Sequence, residues 1–554
     1  MTLSDLFTEL RSRPAAPRTL VLLQELAKSK LAYQQLKSYH EQLLFYKAYP
    51  PSKAIRRFCD KELLNFIERI NALDEDARWQ LTLSGIVGTK MTYAYEYPLA
   101  QWIIGKIGRR IEIDWELLAE NGNEGLENLL PIIMEASEGD AIDSPFVSMQ
   151  DYLQAACGKH SALQWLLKRL EQTFSKKTLW PMYDALLLDL SYDLIPPAPS
   201  RSLVEDHPPQ ELYLWNPQAA RKSLNVAREV MKPLRIGPTV PPQRGRELLD
   251  LVHGALLVRL REYYGATRAN PDEFYDIPVG RGMRLLLWFM TPEYRLPLET
   301  GLGFLLVKNG VPIGYGGGGM HAKRIEIAIN IFDTFRGGDA AWIYAQTARV
   351  CYAMCGSPWL VARKYQMGGD NNKEGLQSGS FWFYYKMGFR SIDPEIRELA
   401  EAERRKIQKI KGYRTPVSIL KQLSKEDAVL SLRGEDPSAY REPALGEIGM
   451  LVPQLIAERY GGNRANLTAT VLKDLRKLIG ANYSGWTKAE KERFAQMGLF
   501  MLAIPGIENW SRRDKDKLIR LARCKGSIRE GDYVKAMRHN LRFFDALEKL
   551  VSPS

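Results

Sequence analysis

A run of alternating side chains in the middle of the chain constrains its fold more than any other feature of the sequence. From Arg324 to Phe332, every second residue is an isoleucine: Ile325, Ile327, Ile329 and Ile331. Successive side chains of a β-strand point to opposite faces, so a period of two predicts a strand with its isoleucines on one face. Glu326, Ala328 and Asn330 form the other face, which either lines a site or meets solvent.

The residues around this run predict a domain of mixed α and β structure over 245–395. Met283 to Met290 is a strand candidate, and Asn309-Gly310 marks a tight hairpin because both residues tolerate positive φ. After the isoleucine strand, a turn leads into a helix from about Ala340 to Met354. A further strand is predicted from Trp359 to Tyr365. This order predicts an α+β fold with a mixed, mostly antiparallel sheet and helices.

Helical periodicity dominates the chain on both sides of this domain. Apolar side chains recur every three or four residues over 1–194, which predicts a helical N-terminal region. Prolines, which cannot continue a helix, mark a linker over 195–244. A second helical region, rich in basic side chains, is predicted over 396–554. The central region is therefore the one expected to carry a sheet.

The charge balance indicates the kind of partner to expect. The chain has 77 lysines and arginines against 65 aspartates and glutamates, a formal net charge of +12. Such a charge favours anionic partners, including nucleic acid and phosphorylated cofactors. Between residues 511 and 544 there are eleven basic and four acidic side chains. This segment is predicted to be either a surface for an anionic partner, such as nucleic acid, or a solvated helix surface.

Composition excludes several classes of protein. Hydrophobic residues make up 45% and charged residues 26%, which is typical of a folded globular chain and excludes a disordered tail or a collagen. No apolar run reaches the ~18 residues of a membrane span, so no transmembrane segment is predicted. The first residues lack the basic and apolar segments of a signal peptide. Five scattered cysteines favour reduced thiols, and we expect a cytoplasmic protein.

Two familiar site patterns do not apply. Gly314 to Gly319 fit the letters of the dinucleotide pattern G-x-G-x-x-G, but that pattern requires a helix to follow, and here a strand follows. The glycines either allow close approach to a ligand or another backbone, or form a flexible hairpin end. Histidines and cysteines do not occur at ligand spacing, so no metal is expected.

The turn after the isoleucine strand, Phe335-Arg-Gly-Gly-Asp-Ala-Ala341, carries the strongest chemical signal. Gly337 and Gly338 allow a phosphate to approach the backbone, and amides at the start of a helix favour an anion. A strand, a glycine turn and a helix are common, however, and do not by themselves identify a ligand. A later helix from Ser380 to Lys386 is followed closely by Gly388 and Phe389.

Together these elements resemble the GNAT superfamily of acyl-CoA-dependent N-acyltransferases, over roughly residues 245–392. The family's signature turn, [Q/R]-x-x-G-x-[G/A], binds the CoA pyrophosphate through backbone amides, and Gly338 and Ala340 match its last two positions. Its second signature, Y-x-x-x-G-F, is matched by Tyr384 and the two residues Gly388 and Phe389.

The chain also departs from the family pattern at two positions. Phe335 stands where the family has glutamine or arginine. Asp339 places an acid beside the implied pyrophosphate site, where it either caps the helix or weakens the site.

The resemblance implies a reaction and a set of site residues. The residues implied to bind the cofactor are Ile331, Arg336, Gly337, Gly338, Asp339 and Ala340. Tyr384 would protonate the CoA thiolate, and Glu326 would accept a proton from the amine. The implied function is transfer of an acyl group, most simply acetyl, from acyl-CoA to an amine, with no metal. The alternative is a non-catalytic binding or scaffold protein with a degenerate GNAT-like module and a nucleic-acid-binding C-terminus.

Overall fold

The computed structural model describes residues 1–122, 124–173, 186–204, 211–216, 224–261, 264–336 and 339–551. The chain divides into two units, each assembled from segments that are distant in sequence. The segments of the first are Met1–Asn216, Glu247–Thr267 and Val307–Pro312. The segments of the second are Pro217–Arg246, Arg268–Leu306 and Ile313–Ser554. The first unit thus takes segments from the predicted N-terminal region, the linker and the central domain. The second takes segments from the linker, the central domain and the C-terminal region.

The first unit is mostly helical, as its apolar periodicity predicts, but it also contains a small antiparallel sheet. Strands β1 (Lys90–Glu96), β2 (Ile111–Ile113) and β3 (Leu187–Asp193) are ordered β1-β3-β2. Sequence analysis did not predict these strands, because they are short and pair with segments distant in the chain. The helices described before residue 200 are Leu3–Arg11, Ala16–Lys28, Tyr33–Ala48, Lys53–Leu64, Phe66–Asn71, Glu75–Trp79, Tyr97–Ile107, Trp115–Asn121, Glu124–Glu127, Leu130–Ile133, Gly139–Asp143, Met149–Cys157 and Ala162–Thr173.

The second unit is built on an eight-stranded sheet, which confirms the predicted mixed, mostly antiparallel sheet with helices. The strands in chain order are β4 (Ala269–Gly280), β5 (Met283–Met290), β6 (Thr300–Lys308), β7 (Val311–Met320), β8 (Arg324–Ile331), β9 (Trp359–Ala362), β10 (Arg390–Ser391) and β11 (Ala428–Ser431). Their spatial order is β10-β11-β9-β8-β7-β6-β5-β4. Strand β11 comes from the region predicted to be helical, and it pairs antiparallel with both β9 and β10.

Local signals placed several of these elements correctly. Asn309 and Gly310 both have positive φ, at 49° and 81°, as the predicted hairpin turn between β6 and β7 requires. The helix Ala340–Cys355 ends at Gly356 in the left-handed conformation, and Ser380–Lys386 has the predicted bounds.

The remaining described helices lie before, between and after the strands of the large sheet in the sequence. They are Val226–Val230, Pro242–Leu257, Tyr264–Thr267, Lys364–Met367, Lys373–Ser378, Pro394–Lys409, Val417–Leu423, Leu445–Tyr460, Leu467–Ile479, Lys488–Ala503, Arg512–Lys525, Glu530–Met537 and Leu541–Val551. None of the described helices has the length and hydropathy needed to cross a bilayer. All five cysteines are free.

The glycine run lies in β7, where neighbouring strands leave no room for side chains. A Cβ atom on Gly316 would overlap the carbonyl oxygen of Ala328 and the ring of Phe304. A Cβ atom on Gly318 would overlap the carbonyl oxygen of Glu326. Of the alternatives for this run, close approach to another backbone is therefore the one observed.

A buried group of charges joins the C-terminal helices to the sheet within the second unit. The Arg295 side chain lies 3.7 Å from Glu273 and 3.3 Å from Glu530. Lys525 pairs with Glu530, and all four of these side chains are at most 1% exposed. The carboxylate oxygens of Glu273 also accept hydrogen bonds from the backbone N–H groups of Glu530 and Gly531, at 2.5 and 2.7 Å. The opposite charges and amide donors compensate one another where water is excluded.

Candidate functional site

Strands β8 and β9 run parallel side by side, and β8 continues past the end of β9. Their pairing is limited to residues 324–326 and 359–361. Strand β7, by contrast, pairs with β8 as far as Ile331. In the described part of the chain, the β9 side of β8 therefore has no paired strand after Glu326. Crevices at the carboxyl ends of parallel strands are the usual ligand sites of such sheets, which makes this opening the candidate site.

The turn at the end of β8 leads to the start of the helix Ala340–Cys355. Phe335, at the position where the family has a polar residue, is 1% exposed and belongs to the core. Gly337 and Gly338, which are predicted to contact the pyrophosphate, lie outside the described residues. Ala340 is the first residue of the helix, so its amide has no partner one turn earlier in the helix.

Asp339 precedes this helix but does not cap it, which corrects one of its two predicted roles. Its side chain accepts no hydrogen bond from the amides of the first turn. The buried carboxylate instead lies 4.0 Å from a guanidinium nitrogen of Arg281. The same guanidinium lies 4.6 Å from the centre of the Trp342 ring. Arg281 thus offsets the negative charge that Asp339 places at the start of the helix.

Arg336 is exposed and already paired with carboxylates. Its guanidinium lies 2.9 Å from Asp333 and 2.6 Å from Glu374, and it also donates to the backbone oxygen of Ile331 at 3.3 Å. Arg336 would have to exchange these partners to bind a phosphate. Ile331, the last residue of β8, is partly buried at the edge of the opening.

Tyr384 lies on the helix Ser380–Lys386 and is buried. Its hydroxyl donates to Oε1 of Gln366 at 2.9 Å. Its ring packs edge-to-face against Tyr344, with ring centres 5.9 Å apart, and against Phe389 at 5.5 Å. Burial raises the pKa of the Tyr384 hydroxyl well above its ordinary value. The group is therefore a neutral donor at physiological pH.

Glu326 is the last β8 residue that pairs with β9, and it contacts two arginines. Its Oε2 atom accepts a hydrogen bond from Nε of Arg363 at 2.7 Å and one from Nη1 of Arg324 at 3.4 Å. Its Oε1 atom has no hydrogen-bond partner among the described residues. These arginines also pair with Glu442. One carboxylate oxygen therefore remains open to a further hydrogen bond.

Tyr344, which the sequence does not single out, contacts one of the two predicted catalytic residues. It contacts the Tyr384 ring, and burial raises the pKa of its hydroxyl well above the ordinary value. An aromatic residue on an apolar helix usually belongs to the core, so the sequence contained no signal for a functional role. The arginine partners of Glu326 were missed because a strand pattern does not show which cations approach it.

No model of a known protein family matches this chain, and no curated protein or solved structure matches it either. The described residues also include no group of three histidine, cysteine, aspartate or glutamate side chains that could hold a metal ion.

Proposed function

We propose that the second unit is a GNAT-type N-acyltransferase that transfers an acyl group, most simply acetyl, from acyl-CoA to an amine. The observation that carries the proposal is the edge of β8 that extends unpaired, among the described residues, beyond its parallel pairing with β9. The turn at the end of β8 leads to the start of Ala340–Cys355, and Tyr384 packs against this helix. The order of these parts along the sequence is that of the superfamily.

The free edge of β8 supports the binding of CoA. Residues 327–331 present backbone groups to the opening, and an extended ligand with amides can pair with such an edge as an added strand does. The pantetheine arm of CoA is an extended chain with two amides. Its pyrophosphate would meet the first amides of Ala340–Cys355, where the helix dipole favours an anion.

In the proposed reaction, the amine nitrogen attacks the thioester carbonyl carbon, a C–N bond forms and the C–S bond breaks. Glu326 accepts the proton lost by the amine on its unpaired oxygen Oε1. Tyr384 donates a proton to the departing thiolate, which requires its hydroxyl to leave Gln366. One proton leaves nitrogen and one reaches sulfur, so the transfer is balanced.

The charges at the turn favour a second candidate. Asp339 keeps a buried carboxylate at the start of the helix, and Arg336 is engaged by two acids. Both features weaken an anion site. A non-catalytic scaffold protein with a degenerate module and a nucleic-acid-binding C-terminus fits these contacts, and such a protein would bind CoA weakly or not at all.

Calorimetry with CoA tests the proposed function. We expect the wild-type chain to bind CoA and Gly338→Val to weaken binding at least tenfold, about 1.4 kcal/mol, because a β-branched side chain blocks access to the turn amides. Gly446→Val is the matched control, since that glycine faces open space in the helix Leu445–Tyr460. Equal CoA affinity for wild type and Gly338→Val would contradict the turn as the binding site. A wild-type chain that does not bind CoA would favour the scaffold.

A further inference from the structure

The Tyr344 hydroxyl is a buried polar group without a partner among the described residues. The side chain is 1% exposed, and its hydroxyl forms no hydrogen bond with any described residue. The other buried tyrosines of the second unit donate to side-chain or backbone oxygens; they are Tyr275, Tyr384, Tyr385, Tyr440, Tyr483 and Tyr533. A buried hydroxyl without a partner costs stability, and a ligand atom that accepts its hydrogen bond would remove this cost.

The position of this hydroxyl relates it to the candidate site. Tyr344 lies in the second turn of Ala340–Cys355, the helix that begins after the turn from β8. Its ring packs edge-to-face against Tyr384 and Phe389, with ring centres 5.9 and 5.8 Å away. The unpaired donor therefore belongs to a side chain that packs directly against the proposed general acid.

We propose that the Tyr344 hydroxyl donates a hydrogen bond to the acyl carbonyl oxygen of the thioester. This inference rests on the proposed acyltransferase function. Attack by the amine forms the C–N bond and moves the carbonyl π electrons onto oxygen. The resulting oxyanion then re-forms the carbonyl as the C–S bond breaks and sulfur leaves with the electron pair. Tyr344 keeps its proton throughout and stabilises the oxyanion.

The two tyrosines are suited to different tasks. Tyr384 must give up its bond to Gln366 before it can reach a ligand. Tyr344 loses no protein bond when it engages one. A donor that is already in place and needs no rearrangement is what oxyanion stabilisation requires, since the benefit comes from preorganisation. Burial, which keeps the Tyr344 hydroxyl protonated by raising its pKa, is consistent with this role.

Tyr344→Phe tests the inference, because it removes only the hydroxyl. Two probes are compared by calorimetry: S-ethyl-CoA, which has no acyl carbonyl, and the ketone analogue of acetyl-CoA, in which a methylene group replaces the sulfur. We expect the wild type to bind the ketone analogue about tenfold more tightly than S-ethyl-CoA, as one hydrogen bond allows. Tyr344→Phe should bind both probes equally and should keep the wild-type affinity for S-ethyl-CoA.

Thermal unfolding of the variants supplies the second measurement. Tyr344→Phe should melt at the wild-type temperature or above it, because no protein hydrogen bond is lost. Tyr385→Phe is the control: its hydroxyl donates to Glu401, so it should melt lower and keep the wild-type preference for the ketone analogue. The inference fails if Tyr344→Phe keeps that preference or melts as low as the control. A wild type that binds neither probe would instead overturn the proposed function.

Discussion

The hydroxyl groups of Tyr344 and Tyr384 lie in one aromatic cluster and differ in their partners. Because Tyr384 donates to Gln366, its removal affects both chemistry and stability. We expect Tyr384→Phe to lower turnover of acetyl-CoA, with an amine that the wild type acetylates, by about 10²–10⁴-fold. CoA affinity should stay nearly unchanged, and unfolding should require about 1 kcal/mol less. Steady-state kinetics, calorimetry and urea denaturation measure the three quantities.

The unaltered kinetics expected of Tyr385→Phe provide the comparison for this prediction. Full turnover by Tyr384→Phe would exclude the hydroxyl as the general acid, whatever its effect on stability. A loss of CoA affinity equal to the loss of turnover would mean that the residue shapes the site rather than donating a proton.

Among single residues, those that form local motifs could be selected from the sequence. The fixed spacing of Tyr384 before Gly388 and Phe389 is enough to single it out. The surroundings of Glu326 could not be predicted, because Arg363 follows it by 37 residues and reaches it only after β8 and β9 pair. The missing partner of Tyr344 was equally hidden, since it depends on every segment packed around one hydroxyl.

Among elements, the contact between β4 and the helix Glu530–Met537 leads to a prediction about pH. Burial raises the pKa of Glu273 from its ordinary 4.5 to about 7, and lowers that of Lys525 from 10.5 to about 8. The folded state thus binds the Glu273 proton more tightly than the unfolded state does. The stability that this group contributes is full below pH 4.5 and is lost as the pH rises through 7. Lys525 has the opposite effect: the stability that it contributes is full above pH 10.5 and is lost as the pH falls through 8.

Urea denaturation of wild type and Glu273→Gln at pH 5 and pH 8 tests this expectation. Glu273→Gln should destabilise the protein at both values, because an amide cannot accept both backbone N–H bonds. The destabilisation should be larger at pH 5, by up to about 3 kcal/mol. Glu293→Gln, at an exposed position of the same unit, should show no such change. A pH-independent effect of Glu273→Gln would mean that this carboxyl titrates as it does in water.

For the whole molecule, the distribution of charge suggests an anionic partner at residues 511–544. Several cations there are already paired, including Arg512, Arg523 and Arg542. Arg513, Lys517 and Arg520 form no ion pair with any described residue, and their spacing of four and three places them on one helix face. We expect the chain to bind single-stranded RNA at ~50 mM salt, with an affinity that falls steeply as salt is added.

Replacing these three residues together by glutamine should make the fall of log affinity with log salt less steep. The magnitude of the slope should drop by about 3, roughly one per phosphate contact. The control carries the same change of charge in the first unit, at the exposed lysines Lys28, Lys30 and Lys37. Fluorescence anisotropy with labelled RNA measures the affinity of both variants at each salt concentration. If RNA, DNA and anionic vesicles all fail to bind at ~50 mM salt, the charge is only a solvated helix surface.

What the sequence determined by itself was local. The period of two over 324–331, the hairpin at Asn309-Gly310 and the end of a helix at Gly356 depend on residues within a few positions of one another. The tertiary structure alone decided that β11 inserts between β9 and β10, that β8 extends beyond its pairing with β9 after Glu326, and that the Tyr344 hydroxyl has no acceptor among the described residues. The physical reason is that strand pairing and burial join segments far apart in the chain, and the pattern within one segment does not show which partner it will meet.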